Sequence, residues 1–186
     1  MIKIWATLIF LILLRWPDVA YSQPITRQGA VCWPLNIAGV VVGVTNEPQS
    51  RRLLGNGIFR KNEGIVGGRY FIDRKRRTTL HLVYGTDAVV EKAVFSDGIN
   101  VTIRRAELHN AVSKWLDAEE TFGNWHALGL GSSKKAALEN LGRPKKGYSG
   151  DVWTYQASCT CELPEYFILY FKNDHIFKVS LEAPQG

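Results

Sequence analysis

The stretch FILYFKNDHIFKVSLE, Phe167 to Glu182, decides how the fold is read. An apolar run, a polar turn at Lys172 to Asp174 and a second apolar run predict two strands joined as a hairpin. Side chains on a strand point alternately to opposite faces, so Phe167, Leu169 and Phe171 form one wholly apolar row, assigned to the core. Tyr166, Ile168 and Tyr170 form the opposite row, amphipathic as expected of a face that meets water or a partner. About 87 residues upstream, LHLVYGTDAVVEKAVF, Leu80 to Phe95, repeats the layout. Leu80, Leu82 and Tyr84 match the apolar row, and Thr79, His81 and Val83 the other. The last strands agree less well: Val90 and Val94 match Phe177 and Leu181, but Lys92 stands where Val179 should. A shift of register and a more exposed edge both account for this, and the sequence leaves both open.

Working outward, GVTNEPQSRRLLGNG (Gly43 to Gly57) and GSSKKAALENLGRPKKG (Gly131 to Gly147) each open with Gly and small polar residues that cap a first helical turn. Each closes at Leu-Gly, where glycine supplies the left-handed conformation of a helix end. GGRYFID and SGDVWTYQ then predict one further strand in each half. The expected fold class is therefore α+β: two tandem helix-plus-antiparallel-sheet repeats forming one body, with the helices on one face of the sheet. The repeats are expected over residues 37–99 and 127–186. Between them residues 100–126, with Ala106, Leu108, Ala111, Val112, Trp115 and Leu116 as an apolar stripe, predict a connecting helix. LNIAGVVVG reads as a strand or as the entry to the first helix.

The first 22 residues have Lys3, an apolar segment from Ile4 to Leu14 and a small-residue site at Ala20 to Ser22, the layout of a secretory signal peptide. That apolar segment is shorter than the roughly 20 residues a membrane span needs. The expected compartment is periplasmic or secreted, with no stable membrane insertion after cleavage and an irregular segment at 23–36. The formal charge of +6, about +5 after cleavage, suits acidic protein surfaces, anionic lipid or cell-wall polymer, and an exported protein is not expected to meet nucleic acid. Asn100-Val101-Thr102 satisfies the N-glycosylation pattern, which acts only in a eukaryotic secretory pathway. In an oxidising compartment thiols tend to pair. Cys159 and Cys161 are too close in sequence for an unstrained bridge, so Cys32 is expected to pair with Cys161 or Cys159. C-x-C alone does not make a structural zinc site, and no metal is expected.

The unit LGLGSSKKAALENLGRP, followed by VWTYQ and FILYFKNDHIFKV, resembles the repeat shared by outer-membrane assembly lipoproteins of the SmpA/OmlA type and by β-lactamase inhibitor proteins. Two tandem copies look more like the inhibitors, and the resemblance implies a two-repeat sheet whose one concave surface grips a protein. The chain departs from both groups: it lacks the lipoproteins' acylated cysteine, and its three cysteines do not suggest one disulfide inside each repeat.

No nucleophile, base or metal motif is present, and no phosphate-cradling loop, so neither catalytic residues nor a cofactor are expected. The remaining candidates bind a partner. Tyr166, Tyr170, Trp153 and Tyr155 offer stiff amphipathic area of the kind found at interface centres, and His81 lies on the outward row. Arg74, Lys75, Arg76 and Arg77 form a basic loop tip between the first two strands of repeat one. The expected function is an exported, non-enzymatic module that binds an acidic protein of the cell envelope, in the manner of an inhibitor or immunity-type protein. The alternative is an envelope assembly or maintenance factor that binds anionic lipid or cell wall.

Overall fold

Strands dominate among the described residues because apolar residues recur there with period two along the longer segments. The structure, a computed structural model, describes residues 30–31, 36–107, 128–157 and 165–183. The expected signal segment, the three cysteines with their expected bridge, and residues 108–126 of the expected connecting helix lie outside the described residues.

In chain order the elements are β1 (Ala30–Val31), β2 (Asn36–Ile37), β3 (Val40–Val41), α1 (Glu47–Leu54), β4 (Ile58–Arg60), β5 (Gly67–Asp73), β6 (Thr78–Tyr84), β7 (Val90–Asp97), α2 (Lys134–Leu141), β8 (Val152–Ala157), β9 (Glu165–Lys172) and β10 (His175–Glu182). One sheet of eight strands has the order β1-β8-β9-β10-β7-β6-β5-β4. Every neighbouring pair from β8 to β4 is antiparallel, and β1 is parallel to β8 at the far edge.

This overturns the expected fold class. The chain does not form two helix-plus-sheet repeats but one sheet-dominated body. Hydrogen bonding continues without a break from β10 to β7, through Lys178↔Ser96, Val179↔Phe95, Ser180↔Val94, Leu181↔Ala93 and Glu182↔Lys92. The helices described are only 8 residues each, and bury just Ser50 and Leu54 from α1 and Ala137 and Leu141 from α2. Two turns of helix cannot supply the apolar area of a layer, so the sheet supplies most of the core.

That core lies on one face. Phe71, Leu80, Leu82, Phe95, Val179, Leu181, Phe167 and Leu169 are all at most 1% exposed and belong to one cluster with Leu54, Ala137 and Leu141. LNIAGVVVG is neither a long strand nor a helix entry: β2 and β3 form a tiny hairpin with Ala38 (φ 54°) and Gly39 (φ 77°) in its turn, and it places Ile37, Val40 and Val42 in the same cluster. The mismatch at Lys92 is a register shift. The β6–β7 pairing passes from Val83↔Lys92 to Tyr84↔Val90, so Glu91 is skipped and Val90, Ala93 and Phe95 all face inward. β10 has its own shift between Ile176 and Lys178, which leaves Phe177 out of the ladder.

Candidate partner-binding face

The face opposite the core is built by the alternate residues of the same strands. Register places Tyr70, His81, Val94, Ser180, Ile168 and Thr154 in one cross-strand row. Val83, Lys92, Glu182, Tyr166 and Gln156 form the row on one side, and Thr79, Ser96, Lys178, Tyr170 and Val152 the row on the other. At the β4 edge the face is covered, because Val101 and Ile103 pack on Ile58 and Ile72. Arg60 fixes that covering segment by donating to the Thr102 carbonyl oxygen (2.8 Å) and to Glu107 (2.6 Å). The bond from Arg60 holds the Glu107 carboxyl down at about 2.

Beside this strap stands a cluster of three polar side chains. The Tyr70 and His81 rings stack with centroids 4.0 Å apart and planes 2° from parallel. Glu63, from the β4–β5 loop, accepts from Tyr70 Oη on one carboxylate oxygen (2.9 Å) and lies 2.8 Å from His81 Nε2 with the other. Gly68 makes the room: a Cβ there would overlap the Glu63 carboxylate and come within 2.8 Å of His81 Nε2. Burial lowers the His81 pKa, against the opposing pull of Glu63. Burial and the bond to Glu63 push the Tyr70 hydroxyl up to about 12. Tyr70 donates to Glu63, and the lowered pKa leaves the His81 ring uncharged at neutral pH.

Further along, Lys92 Nζ pairs with Glu182 Oε1 at 2.6 Å, and Ser180 Oγ donates to the same oxygen at 2.9 Å. Lys178 Nζ sits 3.7 Å from the centroid of the Tyr170 ring, and that ring meets Phe177 edge-on. Tyr166 is 37% exposed, the most open aromatic of this face.

The sequence-derived candidates therefore divide. Tyr166, Tyr170 and His81 share the face, but His81 on β6 is three strand spacings of about 4.8 Å from the β9 tyrosines, so they do not form one cluster. Trp153 and Tyr155 do not belong to it. They are 3% and 0% exposed, on the core side opposite Leu169 and Phe167. Their polar atoms are satisfied internally, Trp153 Nε1 by the Gly150 carbonyl and Tyr155 Oη by the Gly142 carbonyl, each at 3.1 Å. Arg74 to Arg77 are exposed at the β5–β6 turn, but Arg76 is part of the turn itself, donating to Asp73 from its backbone and its guanidinium, each at 3.0 Å. Although burial works against it, these bonds hold the Asp73 carboxyl below its ordinary value. Arg74, Lys75 and Arg77 are exposed at the same turn.

Sequence reading missed Glu63, Tyr70, Lys92, Lys178 and Glu182. For Glu63 a signal did exist in the Gly67-Gly68 pair inside a strand, which marks a close approach by another group. No group of three or more histidine, cysteine or acidic side chains able to hold a metal occurs among the described residues.

No protein-family model matches this chain, and no curated protein matches it. A solved structure, that of a DUF4309 family protein (YjgB) from Bacillus subtilis, is similar with a TM-score of 0.45 and 11% identity, over 84% of this chain and 88% of that one. A likeness this slight carries no argument about activity.

Proposed function

We propose that the protein is an exported, non-enzymatic binding module that presents the open face of its sheet to an acidic protein of the cell envelope. The observation that supports this reading is the composition of that face. It mixes aromatic rings, ordered charged pairs and half-buried apolar residues over strands β7, β10 and β9, beyond the segment at Gly98 to Asn100 that bonds to Thr79 and Ser96 at the end of β6 and β7. Aromatic anchors set among oriented polar groups are the make-up of interface centres. Tyr166 and Tyr170 are the anchors, and Arg74, Lys75 and Arg77 at the end of the sheet attract the partner over a distance of about 10 Å at moderate salt.

The test is affinity capture with the mature protein from an envelope extract of its own cells, beside a Tyr166→Ala, Tyr170→Ala double variant. One protein retained by the parent and lost from a folded variant is the expected result. Retention of lipid or wall material instead, released by salt and unaffected by the tyrosine replacements, would replace this reading with that of an envelope factor.

A further inference from the structure

Three positions on the open face can hold a carboxylate, and the chain itself fills two. Glu63 occupies the one formed by Tyr70 and His81, and Glu182 the one formed by Lys92 and Ser180. Lys178 is the third. It is half-buried, its Nζ lies 3.7 Å from the Tyr170 ring centroid, and among the described residues it forms no ion pair. Its ring support is itself fixed, since Tyr170 packs edge-on against Phe177 at 6.5 Å and 69°. The ammonium has thus lost part of its water and part of its freedom, while the nearby carboxylate, Glu182, is already committed to Lys92. Burial and the neighbouring Lys92 both depress the Lys178 pKa, and Glu182 opposes them, which is the electrostatic mark of a cation short of an anion.

We propose that Lys178, seated on Tyr170, is the subsite that receives an aspartate or glutamate side chain of the protein partner. The inference rests on the open face being the binding surface and names what one point of it reads. The geometry favours a carboxylate over a phosphate group. Phosphate is held best by several converging donors or a guanidinium fork, whereas this site offers one ammonium, with Lys92 neutralised beside it.

The experiment follows lysine side-chain signals by NMR in 13C-lysine-labelled protein while an end-blocked hexaglutamate peptide is added, with inorganic phosphate in a parallel titration. The expected result is a saturable shift at Lys178, accompanied by the Tyr170 ring, that disappears in Lys178→Gln and returns in Lys178→Arg as a saturable shift of Tyr170. Unchanged hydrogen exchange of the β7 and β10 amides shows that both variants are folded. An equal drift of all lysines, Lys75 and Lys145 included, would overturn the proposal. Saturation by phosphate with no response to the peptide would also overturn it. The wider reading is judged separately by capture: partner loss in the tyrosine variant with Lys178 silent rejects the carboxylate subsite alone. Peptide saturation at Lys178 with capture unchanged by the tyrosines rejects the wider reading.

Discussion

At position 68 the absence of a side chain lets Glu63 fold over β5 and reach His81 on the next strand. The exchange of one proton at this cluster has a definite sign. Folding depresses the His81 pKa below its ordinary value of 6.5, so the histidine's contribution to stability is complete above that value and is lost as pH falls through the folded one. Because Glu63 pulls the other way, Glu63→Gln is expected to lower the His81 pKa further, seen as a ring-proton NMR titration displaced to more acidic pH. An unchanged or raised midpoint would show that the pair in the structure does not govern His81. A second residue-scale prediction concerns Tyr84, whose hydroxyl is 2.7 Å from Ser50 Oγ in the core. Ser50 keeps its bond to the Glu47 carbonyl at 2.8 Å, and the Arg69 guanidinium, which also bonds to this hydroxyl, keeps Glu47 and the Asn56 carbonyl, so Tyr84→Phe leaves both groups with other partners. It should cost only about 1 kcal/mol, measured as a small fall in denaturant midpoint with the slope unchanged. Of these features, the inward Tyr84 was legible from alternation alone. Glu63 was not, because a loop residue has no period to place it, and only the paired glycines hinted that something lies close above them.

Elements were legible where local chemistry acts alone and illegible where two strands must be compared. Asn46 Oδ1 caps α1 by accepting from the Gln49 backbone N–H at 3.0 Å, and Gln49 Oε1 accepts in turn from the Asn46 backbone N–H at 2.9 Å, a reciprocal box readable from Asn-x-x-Gln. Asn46→Ala is expected to cost about 0.5–2 kcal/mol, checked by equilibrium unfolding. Its effect should lie near the lower end, since the Arg69–Glu47 ion pair and the Ser50–Tyr84 bond also fasten α1 to the sheet. A loss above that range would mean that capping, rather than docking, holds the helix. The turn at Asn173 (φ 51°) and Asp174 (φ 61°) was equally plain, since these residue types tolerate the left-handed region that a tight hairpin requires. The two register shifts were not. A skipped residue breaks the alternation by one, so that Lys92 and Val94 point outward while Val90 and Ala93 point inward. From one strand alone, that pattern cannot be told from an exposed edge. The facing of Trp153 and Tyr155 was hidden for the same reason: it follows from pairing with Leu169 and Phe167, not from β8 itself.

For the whole molecule, the consequence of one sheet is one cooperative unit. The halves meet through the β7–β10 ladder, and the same buried cluster runs from Phe71 on β5 to Tyr155 on β8. Similar strand patterns in the two halves suggested separable repeats because a sequence shows each hairpin but not the hydrogen bonds between hairpins. Leu181 lies at the join, 1% exposed, opposite Ala93 on β7 and Phe167 on β9. Truncating it leaves a cavity shared by both sides, so Leu181→Ala should cost about 2–5 kcal/mol. In a single cooperative body that loss must appear everywhere at once. Native-state hydrogen exchange of slowly exchanging amides on β6 and on β9 should fall by the same free energy, and denaturation should remain one transition by every probe. If β9 amides lost protection while those of β6 kept theirs, or unfolding split into two steps, the halves would be independently stable, and the continuous ladder across β7 and β10 would contribute little to the fold.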